Sequence, residues 1–451
     1  MLINRSMSYT SKNGRRPNEY ASKSSHGYII NDPEVSEFLT KCSLPKRAEE
    51  IQIPDKLKFD FLSLTANPIK HIIAVDGGRT EVSVKNDYPS STITFFQFGA
   101  LIFKIEDLEE LSKKAFIDPE DIAKLNKIER YKLALPTKNI LLTNSTSLTD
   151  SFRKSLYNFF TKKSGGDIFT ETLKWLIFQE FDKPLEEYVL SSCPNCGEKK
   201  VKLNVKKINN YVFNCDACKK EIYITDVFRL HEAVDDEMGA GGVVGYLTVL
   251  IEQIIIVHLI KTIIETKPSL LSETLFIKDG PLAFFGQTAN MHKPLRVLTN
   301  FLADKHNIFL AGLEKSGPFV EHADMISSKM KPGTVLLLDN EYIYKYILPG
   351  KADVNAPYAS SSYYGAKIIF KSFDKKIYVI TIPVENAEVV LSPKKNDFNN
   401  IDLILHNIQK LKCDMYDNAL FPVALANKLV SLSNHPSTSI LEKFAKNSIH
   451  K

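Results

Sequence analysis

The chain has 451 residues, with 58 lysines and arginines against 53 aspartates and glutamates, 44% hydrophobic residues and 25% charged ones. That balance excludes a disordered or fibrous chain and, at roughly 150 residues per compact unit, leaves room for two or three units with cores of their own. The net charge of +5 is concentrated at one end, where Arg5, Lys12, Arg15, Arg16 and Lys23 face Glu19 alone, so any nucleic-acid-binding face has to be a local patch.

Residues 1–30 read as a flexible basic tail, without the apolar core and small-residue cleavage site of a signal peptide. A short helical stretch is expected over 32–42. The first strong strand is 71–76, HIIAVD, closing in Gly77-Gly78, and 91–105 (STITFFQFGALIFKI) carries the β-branched and aromatic residues of one or two more strands, with Gly99 a bend. From 106 to 190 apolar residues recur at three and four, which predicts a helical insertion. Residues 239–264 are apolar enough to cross a membrane, but Glu252 and Gln253 at the centre, then His258 and Lys261, make a lipid-embedded helix costly and predict a buried helix of a cytoplasmic protein. A strand over 274–279 (TLFIKD), a helix over 293–306, strands at 308–313, 335–338, 367–370 and 377–382, and a helix over 421–432 complete an α/β arrangement around one mixed sheet. The final residues, 436–451, read as a tail.

Six cysteines are too few for a disulfide scaffold in a chain of this length. Cys42 and Cys413 stand alone. Cys193 and Cys196 form one CxxC, Cys215 and Cys218 another, eighteen residues apart. Two such knuckles supply the four thiolates of a closed, structural Zn²⁺ site, which predicts a four-cysteine zinc ribbon over 191–225. The lysine-rich stretch between the knuckles is expected to fold as a hairpin, with Lys202, Lys206 and Lys207 available for a DNA backbone.

Two predicted strands end alike, in Asp76-Gly77-Gly78 and Asp279-Gly280-Pro281. Each aspartate alone reads as a loop-opening turn residue. The repetition, with Glu252 in the middle of an apolar helix between them, suggests three carboxylates around divalent cations, the arrangement two-metal phosphoryl transfer uses. Glu265 competes with Glu252, and Asp339, at the end of VLLLD, is a turn residue or a further ligand. Arg79 either steers a phosphate or pairs with Glu81.

HIIAVDGGR, the Glu252 helix, FIKDGPLAFFG and LAGLEKSGPF together resemble the NurA family of DNA-end-processing nucleases, over residues 70–435. The resemblance implies an RNase H-like mixed sheet with flanking helices, begun by residues 31–105 and completed by 226–435. It implies that Asp76, Glu252 and Asp279 bind Mn²⁺ or Mg²⁺, that Lys315 contacts a phosphate, and that the protein is a homodimer docking on a hexameric HerA-type translocase ATPase. The chain departs from the family pattern near its end, where Phe421-Pro422 and Leu429 replace a tyrosine and a histidine; neither replacement can donate a phenolic hydrogen bond or transfer a proton. Tyr363, Tyr364 and His406 are available substitutes. Three readings follow: a metal-dependent DNA nuclease, a catalytically weakened DNA-binding or adaptor subunit of such an ATPase, and an RNase H-like enzyme acting on RNA or an RNA–DNA hybrid.

Overall fold

Strands β2 (His71–Lys85), β9 (Thr274–Asp279) and β10 (Phe309–Glu314) lie side by side and parallel at the centre of a mixed sheet. β9 and the first half of β2 are almost unbroken runs of buried residues, as is all of β10, because helices cover both faces there. The computed structural model of the chain describes residues 25–85, 89–107, 128–162, 169–413, 418–432 and 436–449. Most of the basic tail and residues 108–127 of the expected helical insertion lie outside the described residues.

Among the described residues the sheet has nine strands. β3 (Ser91–Lys104) and β4 (Ile128–Lys138) extend it antiparallel beyond β2. On the other side β13 (Ile377–Pro383), β12 (Gly365–Lys371), β11 (Thr334–Leu337) and β1 (Lys58–Asp60) follow β10, all antiparallel. The order is β1-β11-β12-β13-β10-β9-β2-β3-β4.

Two cores sandwich the sheet. One gathers Ile73, Val75, Phe98 and Phe276 with helices α3 (Leu148–Thr161), α4 (Phe169–Ile177), α5 (Val244–Thr266) and α6 (His292–His306). The other gathers Ile72, Ala74, Leu275 and Ile277 with α7 (Pro318–Ile326), α8 (Ile401–Lys410) and α9 (Phe421–Val430). The expected long apolar helix is α5. Its most apolar stretch is 83% buried inside the fold, so its greasy surface is consumed by protein on all sides.

The two compact units are Met1–Arg47 and Ala48–Lys451, a division later in the chain than the expected end of the tail at residue 30. In the first, α1 (Ser25–Ile30) is followed by α2 (Pro33–Thr40), the helix expected over 32–42; the Asp32 carboxylate caps α2 by accepting from the N–H groups of Glu34 and Val35 at 2.8 and 3.2 Å.

Four expectations need correction. The stretch 106–190 is not helical throughout, because β4 lies within it. Tyr131, Leu133 and Leu135 alternate along that strand and bury against α3 and β3, a period of two that an overall count of apolar spacing hides. Residues 436–451 are not a plain tail, since α10 (Ser437–Ile449) buries Ala445 against Val82 and Val84 of β2. Gly99 does not bend its strand: β3 runs straight through it. Gly77-Gly78 does not end a strand either, since β2 continues to Lys85. These three glycines are there because neighbours press on the sheet. A Cβ on Gly78 would lie 2.2 Å from the Val430 carbonyl oxygen of α9, one on Gly99 2.7 Å from Val430 Cγ1, and one on Gly77 2.6 Å from the Phe98 ring. Gly78→Ala is therefore expected to lower stability by about 1–3 kcal/mol, read as a fall in the urea midpoint, because the obstacle is backbone and cannot rotate away.

Candidate active site

The pairing of β2 with β9 ends at Val75–Lys278, while β2 continues against β3. Asp76 and Asp279 are the first residues beyond that last pair, so both stand where two central strands part. Asp76 is only 4% exposed. Its Oδ1 accepts from the Gly77 N–H at 2.7 Å, whereas Oδ2 is buried and has no hydrogen-bond partner. Burial, reinforced by the charges of Asp279 and Glu252, pushes the Asp76 carboxyl up to about 8, and Lys315 offsets only part of this. An orphaned oxygen on a carboxylate resisting its own ionisation is the signature of a place that a cation would suit.

Glu252 approaches from α5. Gly77 faces this helix, since a Cβ there would meet Thr248 one turn before Glu252, whereas Asp76 is on the α9 face with Gly78 and Gly99, whose added Cβ atoms would meet Val430. The carboxylates thus reach the gap from opposite sides of the sheet, and the Gly77 N–H favours the charged form of both. Burial raises the Glu252 carboxyl; the Lys278 ammonium, 3.1 Å from Oε2, pulls it back. Asp279 is held by Lys315 at 2.7 Å from Oδ2, in a partly exposed pair. Gln253, next to Glu252, donates to the Ala283 carbonyl at 2.8 Å and ties α5 to the loop after Asp279. Arg79 donates to Thr248 Oγ1 at 3.1 Å, which holds its guanidinium one turn from Glu252.

The other candidates are placed elsewhere. Glu265 is at the exposed end of α5, paired with Lys261 at 2.7 Å. Asp339 caps the short helix Asn340–Tyr342 by accepting from the Tyr342 N–H at 2.7 Å, a turn role. Tyr363 and Tyr364 are buried phenols whose ionisation burial suppresses, and Tyr363 gives its carbonyl to Arg296. His406, on α8, has a buried Nδ1 without a partner. Leu429 lies on α9 with its carbonyl accepting from Gln97 at 3.0 Å, and Phe421 opens the same helix.

The four clustered cysteines meet. Cys193 and Cys218 Sγ are 3.9 Å apart, Cys196 and Cys215 Sγ 3.8 Å, and all four thiols lie within 4.8 Å of one another. Sulfurs tetrahedral about Zn²⁺ would be about 3.8 Å apart, so the cluster fits the metal. The knuckles are built alike: Gly197 N–H bonds the Cys193 carbonyl and Cys193 N–H the Glu198 carbonyl, and Lys219 and Lys220 repeat both bonds at Cys215. Gly197 and Lys219, at matching positions, both take positive φ. Backbone N–H groups, first that of Cys218, lower the Cys215 thiol to about 7, which favours the thiolate a metal needs. Among the described residues this is the one group of three or more metal-binding side chains packed so closely; the carboxylates stand farther apart, with lysines between them.

The hairpin expected between the knuckles is not self-paired. Its first half, β6 (Lys199–Asn204), pairs back with β5 (Glu187–Ser192), and its end, β7 (Val212–Asn214), pairs onward with β8 (Glu221–Tyr223). The apolar residues of these strands insert into the α5-side core, which a self-contained hairpin could not reach. Lys202 and Lys206 are ion-paired with Glu187 and Glu186 at 3.0 and 2.6 Å, in exposed pairs of little strength, and Lys207 adds its charge beside Glu187. What sequence reasoning missed is the clamp on the ribbon. Arg153 of α3, 6% exposed, makes a two-pronged bond to Asp226 at 2.8 and 2.7 Å and also bonds the Glu221 carbonyl and Asn195. It missed Lys278 too, which reads as one more lysine in the sequence and is the least exposed member of the gap.

No family model matches the chain, and no curated protein matches it. Among solved structures it is similar to the NurA nuclease from Sulfolobus solfataricus, at 8% identity over 95% of both chains with a TM-score of 0.35. A second NurA structure gives 12% identity over 96% of this chain and 99% of the other with a TM-score of 0.30, and NurA with manganese gives 14% over 95% and 99% with a TM-score of 0.29. Likenesses this weak carry no argument, and the site stands on its own geometry.

Two outcomes follow. Asp76→Asn removes a buried acid that the fold keeps protonated near neutral pH and should stabilise the cation-free protein there by about 1–2 kcal/mol; it should also cancel any rise in melting temperature that Mn²⁺ gives the unmodified chain, which calorimetry of both proteins would check. Cys215→Ser should lower both the zinc content found by atomic absorption and the melting temperature. Well-folded unmodified protein free of zinc would contradict the thiolate assignment.

Proposed function

We propose that this chain is a metal-dependent nuclease that hydrolyses phosphodiester bonds in DNA. The single observation carrying the reading is the parting of β2 and β9, where a buried Asp76 keeps one oxygen without a partner and feels the charges of Asp279 and Glu252. Hard oxygen donors of this kind suit Mn²⁺ or Mg²⁺, and Asp76, Glu252 and Asp279 are the residues that would hold it. Such an ion supplies a polarised phosphate oxygen and an activated water. Lys315, partly exposed beside Asp279, is placed to leave that carboxylate for an incoming phosphate and to hold it as a point charge. Arg79 offers a second cation on the α5 side. Contacts from these groups to phosphates would position DNA without reading its bases, which fits cleavage without sequence preference.

The sheet supports the same reading. Over β4-β3-β2-β9-β10, β3 alone runs opposite to the rest, and the two aspartates follow the last β2–β9 pair, an RNase H-like order. The motif resemblance to the NurA family extends the proposal: a cytoplasmic homodimer acting with a HerA-type translocase ATPase that feeds DNA to it, in repair or in defence against phage. In that setting Lys202, Lys206 and Lys207 of the ribbon would touch the DNA backbone by exchanging carboxylates for phosphates.

A second reading rests on Phe421 and Leu429, which leave α9 without proton-transferring side chains at those positions. On it, the chain binds DNA and docks the ATPase but cuts weakly.

Purified full-length protein incubated with linear DNA and Mn²⁺ is expected to degrade it, and Asp76→Ala and Asp279→Ala should each reduce the rate at least 100-fold on the scale of lost metal-ligand roles. Cleavage by both variants at the rate of the unmodified protein would overturn the site. Intact DNA with the unmodified protein, together with DNA retention in a gel-shift assay, would favour the second reading.

A further inference from the structure

The three carboxylates of the gap are matched by two lysines that differ in kind. Lys315 follows the end of β10 and its side chain is 26% exposed. Lys278 is 1% exposed, and its backbone is locked in β9 between Val75 of β2 and Gly312 of β10. Its ammonium lies 3.1 Å from Glu252 Oε2 and also donates to the carbonyl of Asp279. Gly280 closes over it: the residue has φ +87°, and a Cβ there would lie 3.4 Å from Nζ. With both strand neighbours in place and no exposed path, this ammonium cannot swing into water as Lys315 can.

We infer that Lys278 takes the place of one of two cations, so that the gap binds a single divalent ion. The inference rests on the metal-dependent reading and replaces the two-ion form expected from the sequence. Two-metal sites hold their ions about 3.5–4 Å apart between shared carboxylates. Here the Glu252 side of that space is filled by a positive charge covalently fixed to β9, and the open oxygen is on the other side, at Asp76 Oδ2. A second divalent ion on the Glu252 side would have to sit against the buried Lys278 ammonium, where like-charge repulsion is weakly screened. One divalent ion and Lys278 together carry three positive charges, which match the three carboxylates, and Lys315 is left to exchange Asp279 for the phosphate.

The test is the number of Mn²⁺ ions bound per zinc-loaded full-length chain, counted by electron paramagnetic resonance of free Mn²⁺, with Asp76→Asn as the blank. One ion that disappears in Asp76→Asn supports the inference. Two ions that disappear together overturn it while leaving the metal-dependent reading intact, and no ion sensitive to Asp76→Asn overturns both. Lys278→Gln, checked for folding by its zinc content and circular dichroism, should raise the count to two; a folded variant still binding one ion would also overturn the inference. Should that variant fail to fold, the count in the unmodified chain decides.

Discussion

Everything about the candidate site follows from two parallel strands that separate one residue before their aspartates. Up to Val75 and Lys278 the strands are paired; past that pair the ladder opens, leaving Asp76 and Glu252 buried and Asp279 partly exposed. Burying carboxylates without full compensation is expensive, and the raised pKa of Asp76 is the measure of that expense. The rest of the fold makes the arrangement tolerable. Glycines at 77, 78 and 99 let α9 and the Phe98 ring press against the strands, and a largely apolar α5 seals the opposite face.

The four-cysteine segment is joined to this sheet rather than appended to it. Leu190, Val201, Leu203, Phe213 and Ile222 belong to the same core as α5, and the Arg153–Asp226 pair is buried between α3 and the ribbon. A buried ion pair adds little net stability when it is complete, yet breaking it leaves a charge stranded, so its effect is to dictate one docking geometry. A second buried pair, Glu314–Lys367 at 2.7 Å with Lys367 3.7 Å from the centre of the Phe319 ring, binds β10 to β12 in the same manner. Among the described residues, Arg153–Asp226 and Glu314–Lys367 are buried matched pairs, whereas Asp76 is buried with one oxygen unpartnered.

Local chemistry was legible wherever one residue type has few uses. Two CxxC motifs in one short segment announce a thiolate cluster because together they supply four soft ligands, and apolar strands running into Asp-Gly stand out because an acid there is costly. Strands β9, β10, β11, β12 and β13 came through within a residue or two for the same reason, being short runs of apolar residues bounded by turn signals. β4 was hidden because its alternation is brief and lies inside a longer helix-like stretch. Lys278 was hidden because a lysine in a sequence looks solvated until the strands on either side of it are known.

By itself, then, the sequence determined which side chains could do chemistry and the local elements that carry them, since periodicity and motif spacing act over a few residues. Only the tertiary structure decided that Glu252 reaches Asp76 from the opposite face, that Gly77-Gly78 continues a strand instead of ending it, and that the ribbon shares the main core. Those outcomes depend on pairing between segments far apart in the chain, and no short-range preference encodes which strand will part from which.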